Sequence, residues 1–308
     1  MLIRRGLEPG QGVHRGCVVT IGNFDGLHLG HQALLAVLRE RSGEAQLPMT
    51  VLSFEPHPRE YFDPAQAPAR LLRLRDKAEW LAGVGVAELR VLRFGEALIA
   101  LDGEAYIDRI LVRALGVRRI VVGEDFRFGR ERRGDVTMLR REGARRGFEV
   151  DVVAPYCIDG GRVSSTRIRA ALAAGRLAEA RAMLGRDYRI SGRVMEGRQL
   201  GRSLGFPTAN IRLHRRVSPL GGIFAVRVSG SVPGVLPGVA SVGTRPTVGG
   251  GERLLEVHLF DFDADLYRKR LAVDFIARLR DEIHFPDLQS MTRQMHRDAE
   301  QARAVLGH

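Results

Sequence analysis

Between Cys17 and Ala154, apolar runs of strand length alternate with stretches of helical pattern, and no other feature of the chain restricts its fold as much. The apolar runs are Cys17–Ile21, Thr50–Phe54, Leu89–Phe94, Ile120–Val122 and Val150–Ala154. Between them lie Gln32–Arg41, Asp76–Leu81, Glu104–Leu115 and Val136–Arg146. Strands separated by helices pair in parallel, with helices covering both faces of the sheet. Such a sheet takes its ligands outside the carboxyl ends of the strands. The pattern changes near Gly185-Arg186-Asp187-Tyr188. Short β-type runs follow at Tyr188–Val194, Ile223–Val228, Val239–Val242, Leu254–Phe260 and Leu271–Phe275, punctuated by Gly and Pro. A helix is expected over Asp287–Val305, where Leu288, Met291, Met295, Ala299 and Ala302 recur as a core-facing stripe. The expected architecture is α/β: a parallel-sheet domain over residues 1–184, then a small antiparallel β-barrel with a C-terminal helix over 185–308.

Composition narrows the function classes. No apolar run approaches the roughly 18 residues of a membrane span. Met1-Leu2-Ile3-Arg4-Arg5 lacks the apolar stretch of a signal peptide, so a cytoplasmic protein is expected. Cys17 and Cys157 form no disulfide framework and are expected as buried, reduced thiols. The net charge of +12 calls for anionic partners. Only Lys77 and Lys269 are lysines, so 46 of the 48 basic residues are arginine. They are scattered, with short clusters such as Arg130 to Arg133. That argues against a nucleic-acid patch and fits small polyanionic substrates.

Two regions carry chemistry. In the first, the strand Cys17–Ile21 turns through Gly22-Asn23-Phe24-Asp25-Gly26 into His28-Leu29-Gly30-His31 and a helical run. A helix start offers free N–H groups to a phosphate. His28 and His31 lie on one side of its first turn, and Gly30 lets a ligand approach the backbone. Two imidazoles there can hydrogen-bond a phosphoryl group as its charge grows. The bland alternatives are a capping turn, or a metal pair that lacks a nearby third ligand. Three further stretches stand at strand ends or a helix start, the first of which could equally be a plain β-to-α connection. Phe54-Glu55-Pro56-His57-Pro58 forms a stiff loop after the second strand. In Val122-Gly123-Glu124-Asp125-Phe126-Arg127-Phe128-Gly129, Phe126 and Phe128 share a core-like face while Asp125 and Arg127 face the crevice. Ser164-Ser165-Thr166-Arg167 opens a helix and suits either an N-cap or a triphosphate.

The second region is Gly192-Arg193-Val194-x-x-Gly197-x-x-x-Gly201-Arg202-x-x-Gly205-Phe206-Pro207-Thr208-Ala209-Asn210. Its glycines permit a loop whose N–H groups wrap phosphates. Thr208 and Asn210, two apart on an extended chain, offer oxygens on one side. A hairpin with Pro207 at its edge is the alternative. Downstream, Leu255, Val257 and Leu259 share one strand face, and Glu256 and His258 share the other. A carboxylate so placed can take the proton of an attacking hydroxyl, although a strand glutamate is more often simply solvent-facing.

The His28-x-Gly30-His31 motif resembles the H-x-G-H signature of nucleotidylyltransferases. With the flanking Gly22-Asn23-Phe24-Asp25-Gly26 it looks like the FAD synthetase module of bacterial bifunctional riboflavin kinase/FAD synthetases. Gly201 to Asn210 is similar to the riboflavin kinase signature. The likeness continues through Gly238–Thr247, Leu255–Phe262 and Leu279–Glu282, covering nearly the whole chain. It implies a Rossmann-like nucleotidylyltransferase domain followed by a kinase barrel that makes FMN from riboflavin and ATP. FAD and pyrophosphate are then made from FMN and a second ATP.

In the first module the resemblance implies His28 and His31 as catalytic. It puts Gly22, Asn23, Phe24, Asp25, Gly30, Ser165, Thr166 and Arg167 on ATP, and Phe54, Pro56, His57, Pro58 and Asp125 on the flavin. In the barrel it implies Glu256 as base, Gly197, Gly201, Arg202, Gly205, Phe206, Pro207, Thr208 and Asn210 on ATP, Thr208 and Asn210 on Mg²⁺, and Arg280 on the flavin. Departures are small: Gly222-Ile223-Phe224 stands for Gly-Val-Tyr, and His284-Phe285 for Lys-Phe. A class I aminoacyl-tRNA synthetase also carries H-x-G-H, but the lysine-rich loop such enzymes pair with it is missing here. A flavin binder with a dead site is the other alternative, against two intact catalytic sets. The oligomeric state is left open.

Overall fold

The computed structural model describes residues 1–8, 16–196, 205–213, 217–245 and 252–308. Contacts divide the chain into two compact units, Met1–Pro68 with Leu72–Ser164, and Ala69–Leu71 with Ser165–His308.

The first unit is built on a six-stranded sheet of β1 (Leu2–Arg5), β2 (Cys17–Ile21), β3 (Met49–Glu55), β4 (Glu88–Arg93), β5 (Val117–Gly123) and β6 (Glu149–Val153). Its order is β1-β4-β3-β2-β5-β6, with every pair parallel. All five residues of β2 are buried, as a strand covered on both faces requires. The two-residue period divides them. Cys17, Val19 and Ile21 join a core with Ile120, Val122 and Leu139, while Val18 joins one with Leu38, Val51 and Leu89. The chain leaves β2 toward β3 on one side and leaves β5 toward β6 on the other. The carboxyl ends of β2 and β5 therefore bound the crevice in which such sheets bind ligands.

Helices α1 (Leu29–Ala45), α2 (Pro58–Phe62), α3 (Leu74–Gly83), α4 (Glu96–Ile99), α5 (Gly103–Tyr106) and α6 (Val136–Arg146) connect the strands. The helix expected over Glu104–Leu115 forms, but it widens into a π-type helix from Ile107 to Ala114. Asp102 caps it, accepting from the Ala105 N–H at 2.8 Å. The buried-thiol expectation holds for Cys17 and fails for Cys157, which is exposed. Cys157 lies on the two-residue strand β7 (Cys157–Ile158), paired only with β8 (Gly161–Arg162) and outside the sheet.

The second unit opens with α7 (Ser165–Ala173) and α8 (Leu177–Leu184). Then come β9 (Tyr188–Met195), β10 (Ala209–Arg212), β11 (Gly222–Gly230), β12 (Leu236–Arg245), β13 (Glu252–Leu259) and β14 (Arg270–Arg280). They close into a barrel in the order β10-β13-β12-β11-β14-β9 with antiparallel neighbours. Gly222 has φ +115°, and a Cβ there would lie 2.6 Å from the Arg280 carbonyl, so only glycine fits this corner.

Helix α9 (Leu288–Leu306) docks through Ala302, which packs with Ala225 and Phe260. The expected apolar stripe is only partly core. Leu288 is 67 % exposed, while Asp298 is buried and binds Arg280 through two bonds of 2.8 and 2.6 Å. The docking face is thus centred on an ion pair that an apolar period does not register. No helix among the described residues is long and apolar enough to cross a membrane.

Candidate active sites

At the end of β2 the backbone turns through Phe24 and Leu27, both at positive φ, and enters α1. His28 is the N-cap of α1, with its Nδ1 accepting the His31 N–H at 3.3 Å. Because Nδ1 accepts, the proton of the neutral ring sits on Nε2. The two rings stack at 3.7 Å, and Phe24 backs His31 at 5.1 Å. A Cβ on Gly30 would lie 3.2 Å from Cε1 and Nδ1 of His28. Gly30 therefore makes room for the imidazole itself. Asp25 is buried and accepts the Leu72 N–H at 2.9 Å, so its carboxylate fixes the turn. Among the described residues no group of three or more His, Cys, Asp or Glu is arranged to hold a metal.

A cavity of about 490 Å³ opens beside the ends of β2 and β5. Gly22, Asn23, Phe54, Pro58 and Asp125 line it, whereas Pro56 and His57 are not on its wall. His57 instead caps α2, accepting from the Arg59 N–H at 3.2 Å. Phe54, Phe62 and Phe94 form one aromatic side, with Phe94 5.7–6.0 Å edge-on from the other two. Phe126 and Phe128 form another, 5.7 Å apart and stacked. Both were expected as core, and both line the cavity as well. Asp125 pairs with Arg162 at 2.9 Å, and that guanidinium holds its carboxyl below the ordinary carboxylate range.

Tyr106, which the sequence did not single out, also lines the cavity. It is 3 % exposed, and its hydroxyl is buried without a hydrogen-bond partner. Burial pushes its pKa up, so it remains a donor. Its one sequence signal is its place at the start of the helical stretch, where α5 passes into the π-type turns. A cavity walled largely by aromatic and aliphatic side chains, with polar groups such as Asn23 and Asp125 among them, suits an organic heterocycle.

In the second unit, Ser165 and Thr166 are the first residues of α7, with Arg167 following. Gly197, Gly201 and Arg202 lie outside the described residues. Gly205 has φ +79°, and Phe206 is buried. Thr208 and Asn210 line a cavity of about 90 Å³ with Pro207 and the segment Phe262 to Tyr267. Asn210 Nδ2 donates to the Thr208 carbonyl at 3.3 Å, so Oδ1 is the accepting end of its amide. In the register of β10 and β13, Asn210 stands directly opposite Glu256. Residues so paired face the same side with Cβ atoms about 5 Å apart. Leu255, Val257 and Leu259 are buried, and Glu256 and His258 occupy the other face. Burial lowers the pKa of His258, against the opposing pull of the Pro207 carbonyl. Arg280, expected on the flavin, commits all its guanidinium nitrogens to Asp298 and, at 2.8 Å, to the Asp281 carbonyl.

Two family models divide the chain: FAD synthetase matches residues 10–167 and riboflavin kinase residues 184–306. The chain belongs to the bifunctional riboflavin kinase/FMN adenylyltransferase family. It is 46 % identical over 306 residues to the Haemophilus influenzae member, covering 99 % of each chain. It is 48 % identical over 307 residues to that of Pseudomonas fluorescens (99 % and 98 % covered). It is 45 % identical over 308 residues to that of Escherichia coli strain K12, covering 100 % of this chain and 98 % of the relative. A crystal structure described as a macrolide-efflux protein from Streptococcus pneumoniae shares the fold. Its TM-score is 0.82 at 29 % identity, with 98 % and 99 % of the two chains covered.

Proposed function

We propose that the two sites act in succession, the barrel making FMN and the first module converting it to FAD in the cytoplasm. Two observations carry this reading: in the barrel, the pairing of Glu256 with Asn210 across β13 and β10, and in the first module, the stacked His28–His31 pair after the end of β2. In the barrel, the 5′-hydroxyl of riboflavin attacks the γ-phosphorus of ATP. Glu256 takes the hydroxyl proton, the bond to the β-phosphate oxygen breaks, and ADP leaves. Thr208 and Asn210 supply hard oxygen donors without a carboxylate cluster, which fits Mg²⁺ held jointly with substrate phosphates and water. When bound, the ion neutralises charge on the transferring phosphate.

In the first module, a phosphate oxygen of FMN attacks the α-phosphorus of the second ATP, and pyrophosphate leaves. The His28 Nε2–H and His31 stabilise the added charge, with no covalent intermediate. The sequence motif, rather than any placement, assigns the triphosphate to Ser165, Thr166 and Arg167. The isoalloxazine occupies the aromatic cavity, with Phe54 and Asp125 on its wall and the Tyr106 hydroxyl available to its polar edge. The functional boundary lies near Leu184 and Gly185.

Two variants test the division of labour. Replacing His28 and His31 with Ala should abolish FAD formation and spare riboflavin phosphorylation. Glu256→Gln should slow phosphorylation by about 10²–10⁴-fold and leave added FMN converted at the parent rate. Mixed together, the two variants should again make FAD from riboflavin, because FMN diffuses between chains. Equal loss of both activities in either variant would contradict the assignment.

A further inference from the structure

His258 is not used by either reaction as described, yet it touches the segment that the kinase reading depends on. Its Nδ1 lies 2.9 Å from the Pro207 carbonyl oxygen. A carbonyl only accepts, so Nδ1 is the donor. Proline has no N–H, so this carbonyl is the sole backbone group through which Pro207 can be held by a hydrogen bond. The Pro207 carbonyl and the Thr208 N–H belong to one planar peptide unit. Fixing the first sets the orientation of the second, and with it the direction in which the chain enters Thr208, Ala209 and Asn210.

The imidazole is itself well held. Its ring meets Phe206 edge-on at 5.0 Å and Phe260 edge-on at 5.9 Å. Phe206 is gripped from another side by His296 of α9, at 4.8 Å. Phe260 is 2 % exposed and packs with Ala302 of the same helix. Two positions along β13, on the same face as His258, stands Glu256, paired with Asn210. One side chain therefore joins the strand that carries the base to the segment that leads through Thr208 into Asn210 of β10.

We propose that His258 is a positioning residue for riboflavin phosphorylation, its Nδ1–H holding the Pro207 carbonyl and thereby placing Thr208 and Asn210 against Glu256. This rests on the reading of those three residues as the kinase centre. Misplacement of reacting groups by about 1 Å can cost about a hundredfold in rate.

The test compares two amides of different reach. Asparagine puts its Nδ2 where histidine has Nδ1, whereas glutamine carries its amide one carbon further out, past the carbonyl. His258→Asn should phosphorylate riboflavin within about threefold of the parent. His258→Gln should lose about ten- to a hundredfold in kcat and raise the KM for ATP, with the KM for riboflavin little changed. FMN adenylylation by the same chains is the internal check and should stay at the parent rate. Parental kcat in His258→Gln, or equal losses in the Asn and Gln variants, would overturn the inference. Glu256→Gln separates it from the reading beneath it. If that variant is inactive while His258→Gln is parental, the positioning role alone fails. If Glu256→Gln keeps parental kinase activity, the centre lies elsewhere and both fall.

Discussion

Gly30→Ala separates stability from catalysis in the first module, and its size follows from the structure. Gly30 lies in the first turn of α1 at a negative φ, so alanine fits the backbone. In a helix interior alanine is favoured over glycine by about 0.5–1 kcal/mol, and a first-turn position gains less. Against this, the new Cβ would sit 3.2 Å from Cε1 and Nδ1 of His28, where ordinary contacts begin at 3.4 Å. The ring must move by a few tenths of an ångström. It is 7 % exposed, stacked on His31 at 3.7 Å and bonded to the His31 N–H at 3.3 Å, so it cannot move without disturbing the pair. The two stability terms nearly cancel, and Tm should stay within about 3 °C of the parent. The adenylylation rate should fall by about ten- to a hundredfold, because the donor on Nε2 is displaced from the phosphoryl group. Riboflavin phosphorylation by the same sample should be unchanged. Parental FAD formation in Gly30→Ala would refute the idea that the His28 ring position is tuned. A Tm drop well beyond 3 °C would show that the cost is one of packing.

Three further outcomes are expected. Glu142, 1 % exposed, is held below the ordinary carboxylate range first by its bond to Arg146, then by Arg141 and Arg145. A lowered folded pKa stabilises above the unfolded value of about 4.3 and is lost as pH falls below it. The thermal stability of the first unit should therefore drop in that window, and the Glu142→Gln profile, read by circular dichroism, should be flatter. A fragment of residues 165–308 should melt higher than one of 185–308, because Leu177, Ala180, Met183 and Leu184 of α8 are buried and α8 packs on β9 and β14. Chelating Mg²⁺ with excess EDTA should stop riboflavin phosphorylation in a chromatographic assay, and restored Mg²⁺ should recover it.

Much of this arrangement was legible because its signals are local. The continuous apolar run Cys17–Ile21, the H-x-G-H spacing and the alternating face of Leu255–Leu259 each need only a few residues of context. What escaped needs the third dimension. Tyr106 joins the cavity through a helix that widens after it, and nothing beside it in sequence reports an unpartnered hydroxyl. Cys157 follows apolar residues, yet its strand pairs outside the sheet, which leaves the thiol exposed. In α9 the hydrophobic period points correctly to Ala302 but overlooks Asp298, whose partner Arg280 comes from the end of β14. Asn210 and Glu256 were both visible as candidates, but only barrel register sets one opposite the other.

The most direct measurement is a time course of the purified chain with riboflavin, ATP and Mg²⁺, its flavins separated by chromatography. FMN should rise first and then decline as FAD accumulates. Two ATP should be consumed and one pyrophosphate released for each FAD formed. Failure to form either FMN or FAD, or FAD formation that bypasses added labelled FMN, would contradict two sites acting in succession on one chain.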